Sequence, residues 1–144
     1  MSSRDILREE IKDIKLGGNL SVYDLVRELG SAGGFMATHL YEAAEILYEM
    51  SNDKDCYRII SFTGNLISTG LRGVIAKMIG DGLFDAIITT GGALDHDVAR
   101  GFGGKYYKGF FNADDVMLFE LNIHRLGNVF IPVESYGPLI EKVI

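Results

Sequence analysis

Two short stretches hold the residue types best suited to gripping a small polar ligand. The first is Ser61-Phe62-Thr63-Gly64-Asn65-Leu66-Ile67-Ser68-Thr69-Gly70, the second Thr89-Thr90-Gly91-Gly92. Each follows an apolar run that reads as a strand, Arg58–Phe62 and Ala86–Thr90. Strand, Gly/Asn/Ser/Thr turn and helix start form an anion site, because the first amides of the helix and the positive end of its dipole face the turn. In a nucleotide-binding fold that anion is a pyrophosphate, and ligands of parallel sheets bind at the carboxyl ends of the strands. Small residues at both ends let backbone come close to a ligand, and the hydroxyls and amide can bond ribose or phosphate. Ordinary turn closure also explains Gly and Thr at either place alone. The G-x-G-x-x-G fingerprint is missing.

Asp95-His96-Asp97 follows the second turn. An Asp–His–Asp triplet can bind metal, exchange protons or hold a cation. Three consecutive helical residues cannot face one point, so capping of a helix over Val98–Arg100 by Asp95 or Asp97 is favoured, with a ligand role second. Lys105-Tyr106-Tyr107-Lys108-Gly109-Phe110-Phe111 reads as an aromatic loop beside the crevice or at a subunit interface. As a single-strand nucleic-acid platform it lacks a supporting basic face. His39 and His124 are isolated, and Gly17-Gly18 and Gly33-Gly34 are turn glycines.

These elements need a frame. Ser3 is positioned to cap a first helix carrying Ile6, Leu7, Ile11 and Ile14, ended by Leu16-Gly17-Gly18-Asn19. A second helix starts at Ser21 and runs to Leu29, Gly30–Gly34 breaks it, and a third spans about Met36–Met50. Beyond Asn52 helices alternate with apolar strands: a crossover helix over Leu66–Ile79 makes the first two strands parallel neighbours, and Val129–Val133 reads as a third strand. Asp114–Leu121 reads as helical, as does the stretch from Leu139 to Ile144. The fold class is therefore α/β: the N-terminal half of a Rossmann-like parallel sheet with flanking helices, preceded by an N-terminal helical segment. The expected division is 1–52 for the helical segment and 53–144 for the first half of a nucleotide-binding α/β domain whose fold continues elsewhere; the resemblance described below makes that ligand NAD and assigns the completion to another polypeptide.

Bulk properties narrow the function. With 144 residues, 47% hydrophobic and 24% charged, the chain fits one globular domain of ordinary size. A net charge of −6 without a basic block speaks against nucleic acid and anionic membranes, and weakly favours a polycation. Cys56 is the single cysteine, so no internal disulfide or cysteine metal cluster forms. The charged N-terminus and the lack of a ~20-residue apolar run point to a cytoplasmic location.

Four segments in order resemble the deoxyhypusine synthase family. Gly34-Phe35-Met36-Ala37-Thr38 is similar to its G-F-Q-A-T, and Thr63–Gly70 to its T-S-N-L-I-S-S-G. Thr89–Asp97 resembles T-T-A-G-G-V-E-E-D, and Ile123–Pro132 resembles I-N-R-I-G-N-L-L-V-P. The likeness runs from about Leu25 onward. It implies NAD-dependent oxidation of spermidine and transfer of its aminobutyl group to a lysine of a translation initiation factor 5A precursor, or, as in homospermidine synthase, to a second polyamine. It implies cofactor contacts at Thr63, Gly64, Asn65, Leu66, Ile67, Ser68, Thr90, Gly91, Gly92 and His96, and polyamine contacts at Asp95 and His96. Carboxylate–ammonium pairing makes the Asp95 role physically sensible. Gly64 replaces a serine of the family, and His96 an acidic residue. The family's active lysine lies in a W-G-K-like segment of its second half. This chain has no tryptophan, and Lys54, Lys77, Lys105, Lys108 and Lys142 have no such context. The resemblance therefore implies no catalytic nucleophile here, and a tetramer-like assembly in which a C-terminal half polypeptide brings the lysine. A catalytically dead regulatory subunit of a full-length paralogue is the alternative.

Overall fold

The computed structural model describes residues 9–15 and 17–144. It divides into two compact units, 1–56 and 57–144.

In the first unit, α1 (Val22–Ala32) packs on α2 (Phe35–Asn52). Ser21 starts α1 with a capping box: its hydroxyl accepts from the Asp24 amide, and the Asp24 carboxylate accepts from the Ser21 amide. The Ser21 hydroxyl also donates to the Asp24 carboxylate (2.6 Å), and that bond first, then the Ser21 amide, holds the Asp24 carboxyl below its usual range. The helix outruns its expected end at Leu29 and stops where Gly33 and Gly34 take positive φ, +60° and +77°. Gly30 is bare where the Tyr41 ring of α2 lies against α1. The expected first helix is corrected where it can be seen. Residues 9–15 are not helical, because the Lys12 amide bonds the Ser31 carbonyl and the Lys15 amide the Glu28 carboxylate. Residues 3–8 and Leu16 lie outside the described residues.

The second unit is α/β. Strand β1 (Ile59–Phe62) pairs in parallel with β2 (Ala86–Thr89), Ile59 opposite Ala86 and Phe62 opposite Thr89. The crossover helix α3 (Leu71–Gly80) joins them, and α4 (Gly91–Gly101) follows β2 directly. Ile67, Ile75 and Ala93 form the buried core, with Phe62 and Leu66 against it. The helices thus cover the face carrying Phe62 and Thr89. Ile59 and Ile88, on the other face, are more than half exposed. The crossover helix starts at Leu71 rather than Leu66: Gly64–Leu66 forms a single 3-10 turn, and the Ser68 and Thr69 hydroxyls turn back to the Asn65 and Leu66 carbonyls (both 2.7 Å).

The third expected strand exists but does not extend the parallel sheet. After β3 (Tyr107–Lys108) and α5 (Asp115–Glu120, capped by Asp114), β4 (Ile123–Leu126) and β5 (Val129–Pro132) form a hairpin. Its sheet is antiparallel, in the order β3-β5-β4. The two-residue Gly127-Asn128 turn, with Gly127 at φ +61°, reverses the chain and fixes this pairing. The short helix α6 (Gly137–Val143) ends the unit. Among the described residues no helix is long and apolar enough to cross a membrane.

Candidate functional site

The two polar turns meet at the carboxyl ends of the parallel strands. Paired threonines join them: the Thr89 hydroxyl donates to the Phe62 carbonyl (2.7 Å), and the Thr90 hydroxyl accepts from the Gly64 amide (3.1 Å). The Thr90 side chain is thereby drawn away from capping α4, which it precedes as N-cap. Gly64 must be small. A Cβ there would lie 2.7 Å from the Gly92 carbonyl carbon and 2.8 Å from the Ala93 amide nitrogen. Gly91 and Gly92 are the opposite case. A Cβ on Gly91 meets nothing within 4 Å, and one on Gly92 only the Thr90 hydroxyl at 3.9 Å. A Cβ at either would enter open space at the opening turn of α4, where helix amides favour negative charge.

Not every residue of the first turn faces outward. Thr63 and Asn65 are exposed and hydrogen-bonded to each other through their side chains. Gly64, Ile67 and Ser68 are buried, and Leu66 is half-buried. The Gly64 amide is spent on Thr90, and the Ile67 and Ser68 amides both bond the Gly64 carbonyl. Of this set, Thr63 and Asn65 can reach a ligand with side chains, while Gly64, Leu66, Ile67 and Ser68 shape the turn. Arg100 of α4 braces it: one guanidinium nitrogen donates to the carbonyls of Ile67 (2.8 Å) and Thr69.

Asp95, His96 and Asp97 lie in the middle of α4 and cap nothing, because the helix already starts at Gly91. They fan out at helical spacing. Asp97 bonds Arg72 on α3 (2.7 Å). The exposed Asp95 accepts from the Tyr136 hydroxyl (3.3 Å). His96 is half-buried, its Nδ1 2.8 Å from the Tyr106 hydroxyl and its ring 5.1 Å from that of Tyr136. Burial pushes the His96 pKa down, Asp95 opposes this and Arg100 adds to it, which favours the neutral ring. Burial also lifts the Tyr106 hydroxyl to about 12, helped by Tyr136 and Asp95 and opposed by Arg100. Among the described residues no three His, Cys, Asp or Glu side chains are grouped to hold a metal ion.

The structure therefore gathers Thr63, Asn65, Thr90, Gly91 and Gly92 at one rim, and turns His96 toward Tyr106 and Tyr136. Tyr106 sits in the loop as expected, directly before the short strand β3. Further along the same stretch, Phe110 packs edge-on against Phe130 at 5.3 Å. Arg100 and Tyr136 were not foreseen as site neighbours. Arg100 falls one and two helical turns beyond His96 and Ala93, the only signal that marks it in the sequence.

Comparison with known proteins agrees with this arrangement. The family model for deoxyhypusine synthase matches residues 24–144. A protein of Aeropyrum pernix named "Probable deoxyhypusine synthase" is 55% identical over 136 residues, covering 94% of this chain and 44% of that protein. Proteins of the same name from Ignicoccus hospitalis and Sulfurisphaera tokodaii are 49% and 51% identical over all 144 residues, covering 45% and 46% of their lengths. The chain spans a little under half the length of these relatives. By sequence match over most of its length, and with a parallel strand pair whose ends carry the matching turns, the chain belongs to the deoxyhypusine synthase family.

Proposed function

We propose that the rim of Thr63, Asn65, Thr90, Gly91 and Gly92 is part of an NAD site serving aminobutyl transfer from spermidine to a lysine of a translation initiation factor 5A precursor. The observation that carries this reading is the bare Gly91-Gly92 backbone, opening α4 beside the first turn and locked to it by the Gly64–Thr90 bond. That cradle fits a dinucleotide: it offers helix amides to a pyrophosphate, and the side chains of Thr63 and Asn65 to ribose hydroxyls. NAD, when bound, supplies hydride acceptance for oxidation of the amine. The chain's own residues orient and exclude. Arg100 holds the first turn through its carbonyls, and Gly64 keeps the two turns in contact. Asp95 leaves an exposed carboxylate for an ammonium group of the polyamine. The neutral His96, whose Nδ1 faces Tyr106, keeps Nε2 for a hydrogen bond and adds no second negative charge beside Asp95.

Covalent transfer needs a nucleophilic amine. In this reading a lysine from outside these 144 residues supplies it, in a tetramer-like assembly that includes the remaining portion of the family's length. The test mixes the chain with a polypeptide covering the unmatched portion of the Aeropyrum relative, then adds NAD, spermidine and either the protein precursor or free polyamine. We expect weak NAD binding by the chain alone, tight binding by the mixture, and mass gain on the protein acceptor. Gain only on free polyamine would assign the chain to homospermidine synthesis. A folded mixture that binds no NAD would sink the reading.

A further inference from the structure

A pocket with a volume of about 450 Å³ opens at the end of the first turn. Thr69, Gly70, Arg100, Tyr106, Lys108 and Asn128 are among its lining residues. Its two cations stand out in a chain of net charge −6. The other arginines of this unit are each paired with a carboxylate: Arg58 with Asp85, Arg72 with Asp97 and Arg125 with Asp115. Arg100 and Lys108 have no carboxylate partner among the described residues. The Arg100 guanidinium is also anchored. One terminal nitrogen is held by the Ile67 and Thr69 carbonyls, and the plane lies over the Tyr106 ring, 5.6 Å from its centroid. Its Nε and other terminal nitrogen donate to no protein atom among the described residues. A guanidinium fixed in this way has lost its rotamer freedom on folding, so an anion that meets its free edge has less ordering to impose.

We propose that this pocket binds a phosphoryl group, with Arg100 and Lys108 supplying the charge and Asn128 a neutral donor. These donors exceed what the two oxygens of a carboxylate can use and suit the three terminal oxygens of a phosphoryl group. The group belongs either to a separate phosphate ester or to the dinucleotide, whose pyrophosphate then sits here rather than on the Gly91-Gly92 amides. The inference rests on the pocket and not on the NAD reading.

The probe is inorganic pyrophosphate, titrated into the 144-residue chain by calorimetry at low salt, with amide chemical shifts as a second readout. Saturable binding is expected, with shifts at Thr69, Gly70, Lys108 and Asn128. The substitution Lys108→Gln, at an exposed position, should weaken it about tenfold with an unchanged melting curve. Raised salt should weaken it as well. Competition then separates the sources: displacement of pyrophosphate by NAD or ADP-ribose but not by nicotinamide riboside marks the dinucleotide, and undisturbed pyrophosphate marks a separate ester. Absence of saturable pyrophosphate binding, or equal affinity in Lys108→Gln, overturns the proposal. NAD binding without pyrophosphate binding overturns it too, yet leaves the NAD site standing.

Discussion

Gly64→Ala tests the contact on which the whole rim depends. The new Cβ would sit 2.7 Å from the Gly92 carbonyl carbon, 2.8 Å from the Ala93 amide nitrogen and 3.1 Å from the Gly92 oxygen. All three are backbone atoms, so no side chain can swing aside and the turns must part. Forced overpacking of this kind costs about 1–3 kcal/mol. Parting the turns also stretches the Gly64–Thr90 hydrogen bond, worth about 1 kcal/mol when made and more if the amide is left unsatisfied. The sum, about 2–4 kcal/mol, corresponds to a melting temperature roughly 8–32 °C lower for a unit of this size, at about 4–8 °C per kcal/mol. Thermal and urea denaturation measure the loss, and hydrogen exchange at the Gly64 and Ala93 amides locates it. Gly91→Ala is the control, because its Cβ meets nothing within 4 Å. If Gly64→Ala melts within about 2 °C of the parent, or Gly91→Ala proves the worse variant, the seam does not hold the site as argued.

Thr90→Val keeps the shape but strands the part-buried Gly64 amide, so a loss of about 1–3 kcal/mol is expected by urea denaturation, with little change if water satisfies the amide instead. Ser21→Ala removes the capping box of α1 and should cost about 1 kcal/mol, read as lost helicity by circular dichroism, while Ser21→Thr should retain most of it. Tyr106, raised from 10.0 to about 12, favours folding in its neutral form. That contribution is complete below pH 10 and disappears as pH climbs through 12, so Tyr106→Phe should flatten the alkaline limb of a melting-temperature profile. His96 runs the other way. Its lowered pKa gives a contribution present above pH 6.5 that fades as pH falls below it, and His96→Gln should remove that acid limb.

The alternation of helices with apolar strands was enough to read β1, β2 and their parallel pairing, because Ile59-Ile60 and Ile87-Ile88 are each followed by a glycine-containing turn. What the linear pattern hid was longer in range. Val129–Pro132 has the apolar run of a buried parallel strand, yet its partner is set by the Gly127-Asn128 reversal and by β3 arriving from Tyr107. The start of α3 was misplaced because Leu66 and Ile67 keep helical periodicity while the Ser68 and Thr69 hydroxyls compete for the backbone. The same limits applied to the site. Gly64 was legible as a residue needing to be small, but the use of its amide depended on Thr90, 26 residues later. Asp95 and Asp97 looked like caps because the helix start at Gly91-Gly92 carries two residues of poor helix propensity. Sequence spacing does show that Asp95, His96 and Asp97 diverge. It cannot show that Tyr106 and Tyr136 receive two of them.

The joined turns have a calorimetric consequence. Loops that order only around their ligand bury surface as they close, and so bind with a large negative heat-capacity change. Here Thr89 and Thr90 tie both rims of the crevice together as part of folding. A ligand that settles on Gly91 and Gly92 meets a surface already set, so its heat-capacity change should be small and its enthalpy nearly constant with temperature.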